Sequence, residues 1–173
     1  MIPISTGRVH KKWILVAGAG AAALSPAALA ADRLFAGGSW AALRFGKRCE
    51  AAARPLPPAA RREPQARAGF AFDPAAGHAG RFYARLSREP RAGSTVMLTI
   101  GSQPFMLIGR GAWAWSRPGE QQQAIIAAVR NARSMRIQAR SASGSRFTDR
   151  YLLEGAPTAI DAAAAGCAGK IQP

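Results

Sequence analysis

Few side chains in this sequence could do acid–base or metal chemistry. Apart from His10, the only histidine is His78, which lies in a glycine-rich stretch where a solvated turn residue is more common than a catalytic base. Asp149, Glu154 and Asp161 fall near one another late in the chain, but Asp149 has no visible partner acid. Nucleophile-elbow, dinucleotide and Walker motifs are missing. We therefore expect no catalytic residue, metal ligand or cofactor; the alternative is an inhibitor or an enzyme of unrecognised type.

The first thirty residues have the pattern of a secretory signal peptide. Basic residues (Arg8, Lys11 and Lys12) precede the uncharged apolar run 13–24, and a small-x-small cleavage pattern follows at 28–30. The run is shorter than the roughly 20 residues of a membrane-spanning helix, so an uncleaved anchor or a buried helix is the weaker interpretation. The pattern predicts an exported protein of the periplasm or outer-membrane periphery. It would begin near residue 31 and form one domain over 31–173, with no membrane span after cleavage.

Two cysteines, Cys49 and Cys167, lie in this mature part. An even count in an exported chain favours a disulfide, because the periplasm is oxidising. Two cysteines allow one intramolecular pairing, so we predict a Cys49–Cys167 bond. The alternative is two unrelated buried thiols.

The chain is strongly basic. Its formal net charge of +15 becomes +12 once the three signal-peptide bases are subtracted, since that segment contains no acid. Because the bases are mostly arginine and the chain is rich in Ala, Gly and Pro, a GC-rich genome could supply the bias without selection for nucleic acid. We therefore do not expect nucleic acid as the partner. The cationic surface would still attract anionic lipid or lipopolysaccharide in a salt-dependent way; an unidentified envelope or protein partner is the other possibility.

Alternating patterns predict the elements that position these residues. Strands adjacent in sequence and two short helices, one starting near Glu120 and ending near Asn131, indicate a mainly β protein: an antiparallel β-sandwich or barrel-like sheet. Residues 54–67 are rich in Pro and Arg and predict a loop. Residues 95–100 and 105–108 predict a hairpin around a four-residue turn, 101–104.

A second hairpin would place arginines on one surface. Residues 135–140 and 146–153 alternate between apolar and basic side chains, and a three-residue loop at 143–145 would pair position 140 with 148. That register gives a possible anionic-ligand surface, which we call the arginine face: Arg136, Arg140, Arg146 and Arg150. The alternative is an ordinary solvated sheet face. The same register turns Asp149 inward, where an arginine or a backbone turn would satisfy it.

Trp113 and Trp115, with Arg110 and Arg117 nearby, could form an aromatic–cationic binding patch. Large aromatic residues dominate the interiors of β proteins, so we expect the tryptophan side of this strand to belong to the core.

Several of these stretches together resemble a known family. The segments CEAAARP at 49–55, AW at 112–113, SG at 143–144, DRYLLEG at 149–155 and the late Cys167 are similar to the invasion-associated locus B (IalB-like) family of exported alphaproteobacterial proteins. The resemblance covers roughly 40–167. It implies an exported, non-catalytic β-rich domain with no family active site, and structural roles for Asp149, Tyr151, Gly155 and Cys167. Two features depart from the family pattern: the Pro/Arg-rich loop, and Glu50 where an aromatic residue is expected.

Overall fold

The computed structural model describes residues 31–58 and 65–168, so the predicted signal peptide and part of the Pro/Arg-rich loop lie outside the described residues. The described strands are β1 Asp32–Gly37, β2 Trp40–Phe45, β3 Arg48–Ala53, β4 Arg67–Asp73, β5 His78–Arg85, β6 Val96–Ile100, β7 Gln103–Arg110, β8 Trp113–Trp115, β9 Ser134–Arg140 and β10 Arg146–Leu152. The helices are α1 Glu120–Asn131 and α2 Ala156–Cys167, with a short 3₁₀ turn at Pro74–Ala76. The prediction of a mainly β fold with two short helices is confirmed.

The described strands form one antiparallel sheet in the order β1-β2-β3-β4-β5-β8-β7-β6-β9-β10, and this sheet is not closed. Strands β1 to β5 follow the chain order, as expected for short connections. Strand β8 then pairs with β5 through Ala84 and Ala114, and β7 carries the sheet on to β6. This step brings Trp113 and Trp115 beside β5, which neither local alternation nor turn chemistry could indicate.

One face of the sheet, the inner face, carries the core and both helices. Five side chains of α2 are buried against β1 to β4: Ala156, Ala159, Ile160, Ala163 and Cys167. Small residues on the facing strands, such as Ala42, Ala51 and Ala68, are fully buried and let the helix approach closely. Helix α1 begins and ends as predicted and buries Ile125, Ala128 and Val129.

A disulfide between Cys49 on β3 and Cys167 at the end of α2 confirms the predicted pairing. The bond joins residues separated by 118 positions, with 5.8 Å between their Cα atoms. It fixes the end of α2 to the inner face of the sheet, and both residues are buried in the core.

The two ends of the open sheet are held together by hydrogen bonds between turns. The Ser39 amide donates to the Glu154 carbonyl at 3.1 Å, and the Trp40 indole donates to the Leu152 carbonyl at 2.8 Å. Gly155 has a φ of +83°, and a Cβ there would lie 2.2 Å from the Gly37 carbonyl oxygen. Glycine is therefore required at this position both by the left-handed backbone and by the close approach.

The two hairpins differ from their predicted loops. Gly101 and Ser102 alone form the first turn, and Pro104 lies within β7, where it is tolerated because β8 pairs only with the far end of that strand. In the second hairpin Arg140 pairs with Arg146 across a five-residue loop, so the predicted pairing of 140 with 148 was wrong. Ser141 is buried and bonds to the Ser145 carbonyl through its amide and hydroxyl, which lengthens the loop.

Candidate functional site: an arginine face and an aromatic–arginine cluster

The arginine face lies on the outer face of the sheet, opposite the core. The two-residue change of register keeps even-numbered residues opposite even-numbered residues, so the four predicted arginines still share one surface. Arg140 pairs directly with Arg146 and Arg136 with Arg150, and all four are exposed. The two pairs are four residues apart along each strand, which corresponds to about 13 Å.

The positive charges of this face have no counter-charge among the described residues. The ion pairs within residues 31–58 and 65–168 involve Arg44, Arg67 and Arg130 and none of the four face arginines. Arg136 bonds to the Gln138 side chain at 3.1 Å, and Arg140 bonds to the Gly144 carbonyl at 3.1 Å. Like charges directly opposite each other destabilise a ladder. An anion bound between them would remove that repulsion.

Each arginine pair lines its own depression. A cavity of about 220 Å³ is bordered by Arg136, Arg150, Leu56 and Leu152. Another, of about 470 Å³, is bordered by Arg140 and Arg146. Leu56 and Leu152 are 46% and 43% exposed, so the first depression combines positive charge with accessible apolar surface. A ligand with anionic groups beside apolar surface would complement this arrangement.

Trp113 and Trp115 also lie on the outer face, so the expectation that they belong to the core was wrong. Ala114 between them is the residue that is buried in the core, while both tryptophans are half-buried. Their ring centroids are 6.4 Å apart and nearly parallel. Arg67 and Arg81 lie over these rings, at 5.7 Å from Trp113 and 5.9 Å from Trp115 respectively. Of the predicted neighbours, Arg110 pairs directly with Trp113 in the β7–β8 ladder, but neither Arg110 nor Arg117 lies over one of these rings.

Tyr83 connects this group to a buried carboxylate. Its hydroxyl donates to Glu50 Oε2 at 2.8 Å, and Glu50 is only 8% exposed. Arg67 lies 5.5 Å from the centre of the tyrosine ring and 3.8 Å from Glu50 Oε1. Burial, followed by the charge of Glu50, raises the pKa of Tyr83 far above its ordinary value, so the hydroxyl remains a donor. We call Arg67, Arg81, Tyr83, Trp113 and Trp115 the aromatic–arginine cluster.

A cleft of about 950 Å³ opens beside this cluster. Its lining includes Leu43, Glu50, Arg54, Arg67, Arg85 and Trp113. Within the part of the chain that the structure describes, three arginines and Trp113 therefore share this cleft with one buried carboxylate, that of Glu50. A volume of this size is large enough for a small ligand.

Local sequence patterns contained only part of the signal for this cluster. The alternation of β5 placed Arg81, Tyr83 and Arg85 on one side, but it did not show which strand lies beside them. The β5–β8 pairing, in which Tyr83 is opposite Trp115, decides that these residues meet the tryptophans. Glu50 was noted only as a departure from the family pattern.

The residues to which the family resemblance gives structural roles lie on the inner side of the fold. Asp149 Oδ2 accepts a hydrogen bond from the Ser87 amide at 3.0 Å, so this inward carboxylate satisfies a backbone group. Burial raises the pKa of Asp149. Tyr151 is 1% exposed, and its hydroxyl has no hydrogen-bond partner among the described residues. Gly155 forms the close contact with the β1–β2 turn described above.

The remaining candidates for acid–base chemistry, His78 and Asp161, each contact a different arginine and do not contact each other. His78 Nε2 lies 3.1 Å from Arg81 Nη1, and Asp161 pairs with Arg130 between the two helices. Within residues 31–58 and 65–168, no group of three His, Cys, Asp or Glu side chains is arranged to hold a metal ion. No helix in these same ranges is long and apolar enough to cross a membrane.

Comparisons with known proteins found no match: no protein-family model, no curated protein and no solved structure is similar to this chain. The functional argument therefore depends on the residues and their geometry.

Proposed function

We propose that this chain is an exported, non-catalytic binding module of the bacterial cell envelope, of the invasion-associated locus B type, and that it binds an anionic envelope lipid through the arginine face. The signal-peptide pattern at 1–30 and the sequence resemblance support the location and the type. The Cys49–Cys167 disulfide is compatible with an oxidising compartment.

One observation carries the choice of partner: two arginine pairs, directly opposite each other in the ladder, have no counter-charge among the described residues. Guanidinium groups bind phosphate oxygens through paired hydrogen bonds. The exposed Leu56 and Leu152 beside one pair supply apolar surface, which favours a phospholipid or lipopolysaccharide head group with its adjoining acyl chains over nucleic acid.

The proposal is tested by co-sedimentation of the mature protein with vesicles. Vesicles of phosphatidylglycerol and phosphatidylcholine are compared with vesicles of phosphatidylcholine alone, at several salt concentrations. Basic residues near an anionic surface contribute about 1 kcal/mol each, so replacing the four face arginines with glutamine should weaken binding by two to three orders of magnitude. Binding of the original protein should fall as the salt concentration rises.

A matched variant tests whether binding depends on the arginine face or only on the net charge of the protein. Four other exposed arginines, Arg33, Arg48, Arg110 and Arg117, are replaced with glutamine, which removes the same total charge. This control should retain most of the binding. Equal weakening in both variants would show attraction by net charge only, and equal binding to neutral vesicles would contradict an anionic ligand.

A further inference from the structure

We infer a second ligand site that is separate from the arginine face: the cleft at Trp113 and Glu50 binds an acidic saccharide, a sugar chain that carries carboxylates. The cleft measures about 950 Å³ and lies on the outer face, where Trp113 is half-buried and Glu50 is 8% exposed. None of the four face arginines lines this cleft, although Leu56 borders both the cleft and the first depression of the arginine face.

The charges of the cleft select an anionic ligand. Among the described residues, Arg54, Arg67 and Arg85 line it, and Glu50 is the one carboxylate in the lining. Arg67 holds a fixed position because its guanidinium lies over both Tyr83 and Trp113, yet its side chain remains 46% exposed. A guanidinium that is already oriented by aromatic rings loses less conformational entropy when it binds a carboxylate.

The buried carboxylate selects hydroxyl groups on the same ligand. Glu50 Oε2 accepts the Tyr83 hydroxyl, while Oε1 lies 3.8 Å from Arg67, beyond hydrogen-bond distance. An ionised carboxylate can accept several hydrogen bonds, so Oε1 is available to ligand hydroxyls. The half-buried Trp113, which Arg67 and Trp115 cover in part, still presents apolar ring atoms at the same wall. Carboxylates, hydroxyls and an apolar ring face occur together in uronic-acid sugars.

Other ligand classes fit the cleft less well. An acyl chain would desolvate Glu50 without offering a hydrogen bond. An extended peptide binds most often at a free strand edge, whereas β3 and β4, which carry Glu50 and Arg67, are paired on both sides; the edge strand β1 contributes only Ala36 and Gly37 to the lining. A phosphate monoester dianion has only acceptor oxygens on its phosphate, so that group would leave Glu50 Oε1 without a donor.

The inference is tested by titration calorimetry with tetragalacturonate and with its methyl ester, using disulfide-intact mature protein. We expect saturable binding of tetragalacturonate and binding at least about tenfold weaker for the ester, since each guanidinium–carboxylate contact is worth about a factor of ten or more. Trp113→Leu and the exposed Arg54→Gln should each weaken binding by about tenfold.

Matched variants lie on the same sheet face outside the cleft lining. Met106→Ala and Arg117→Gln, two exposed residues outside both the cleft lining and the aromatic–arginine cluster, should leave binding of tetragalacturonate within about twofold, and so should the four-arginine variant of the arginine face. Absence of saturable binding, equal binding of the methyl ester, or equal loss in Arg117→Gln and Arg54→Gln would overturn the inference. Loss in the four-arginine variant alone would assign the saccharide to the other face and would also overturn it.

Discussion

Removing the Cys49–Cys167 disulfide should lower the free energy of unfolding by about 5 kcal/mol. The bond joins residues 118 positions apart, and the chain-entropy model gives about 4.9 kcal/mol for a loop of that length at 25 °C. A domain of this size is stabilised by only about 5 to 15 kcal/mol in total. The Cys49→Ala/Cys167→Ala variant should therefore lose between about a third and all of its stability at 25 °C.

Urea denaturation followed by circular dichroism measures the effect. With a urea dependence of about 2 kcal/mol per molar, the midpoint of the double variant should fall by about 2 to 3 M. Oxidised protein treated with a reductant should shift by a similar amount, because both changes release the same loop. A midpoint that falls by less than about 0.5 M in both cases would refute the reasoning. It would mean that the packing of α2 holds the two segments together even in the unfolded ensemble.

Three further changes test individual contacts and one titration. Gly155→Ala should lower the free energy of unfolding, measured by urea denaturation, by about 3 kcal/mol or more. Gly144 has a similar positive φ but open space at the Cβ position, so Gly144→Ala should lower it by only about 1 kcal/mol. Tyr83→Phe should destabilise the fold by about 1 to 3 kcal/mol, because it leaves a buried carboxylate oxygen of Glu50 without its donor. Tyr151→Phe should be nearly neutral, because the Tyr151 hydroxyl has no partner among the described residues. Equal losses of stability in the two variants would contradict this account. Burial raises the pKa of Asp149 above its unfolded value, so its ionisation opposes folding as the pH rises through and above 3.8. Asp149→Asn should therefore gain stability relative to the original protein as the pH increases over this range, and a pH-independent difference would contradict the raised pKa.

Alternation in the sequence was enough to predict which side chains of β9 and β10 face solvent. This prediction stays correct although the predicted register was wrong by two residues, because a shift by an even number leaves every side chain on the same side of the sheet. The loop length was not predictable in the same way. It depends on the bonds from Ser141 to the Ser145 carbonyl, which the alternation of the two strands does not indicate.

The aromatic–arginine cluster was not predictable from local patterns. Trp113 and Trp115 could pack on either side of a three-residue strand, and hydrophobicity alone favoured the core. The small Ala114 occupies the core side because β8 is inserted between β5 and β7, a pairing between strands that are distant in the chain. The sequence predicts the first strand at 40–45 and does not indicate β1, because the side chains of β1 are only partly buried and show no clear alternation.

The position of α2 has a consequence for the order in which the molecule can fold. Strands β1 to β5 pair with their neighbours in sequence, so these contacts are local and can form early. The inner face of β1 to β4, however, is covered by a helix that lies more than 80 residues later in the chain. A nascent chain in which α2 has not yet been synthesised would hold these strands with their apolar side uncovered. Such a chain should stay soluble only if synthesis or export is completed quickly, or if a chaperone covers that surface until the helix arrives.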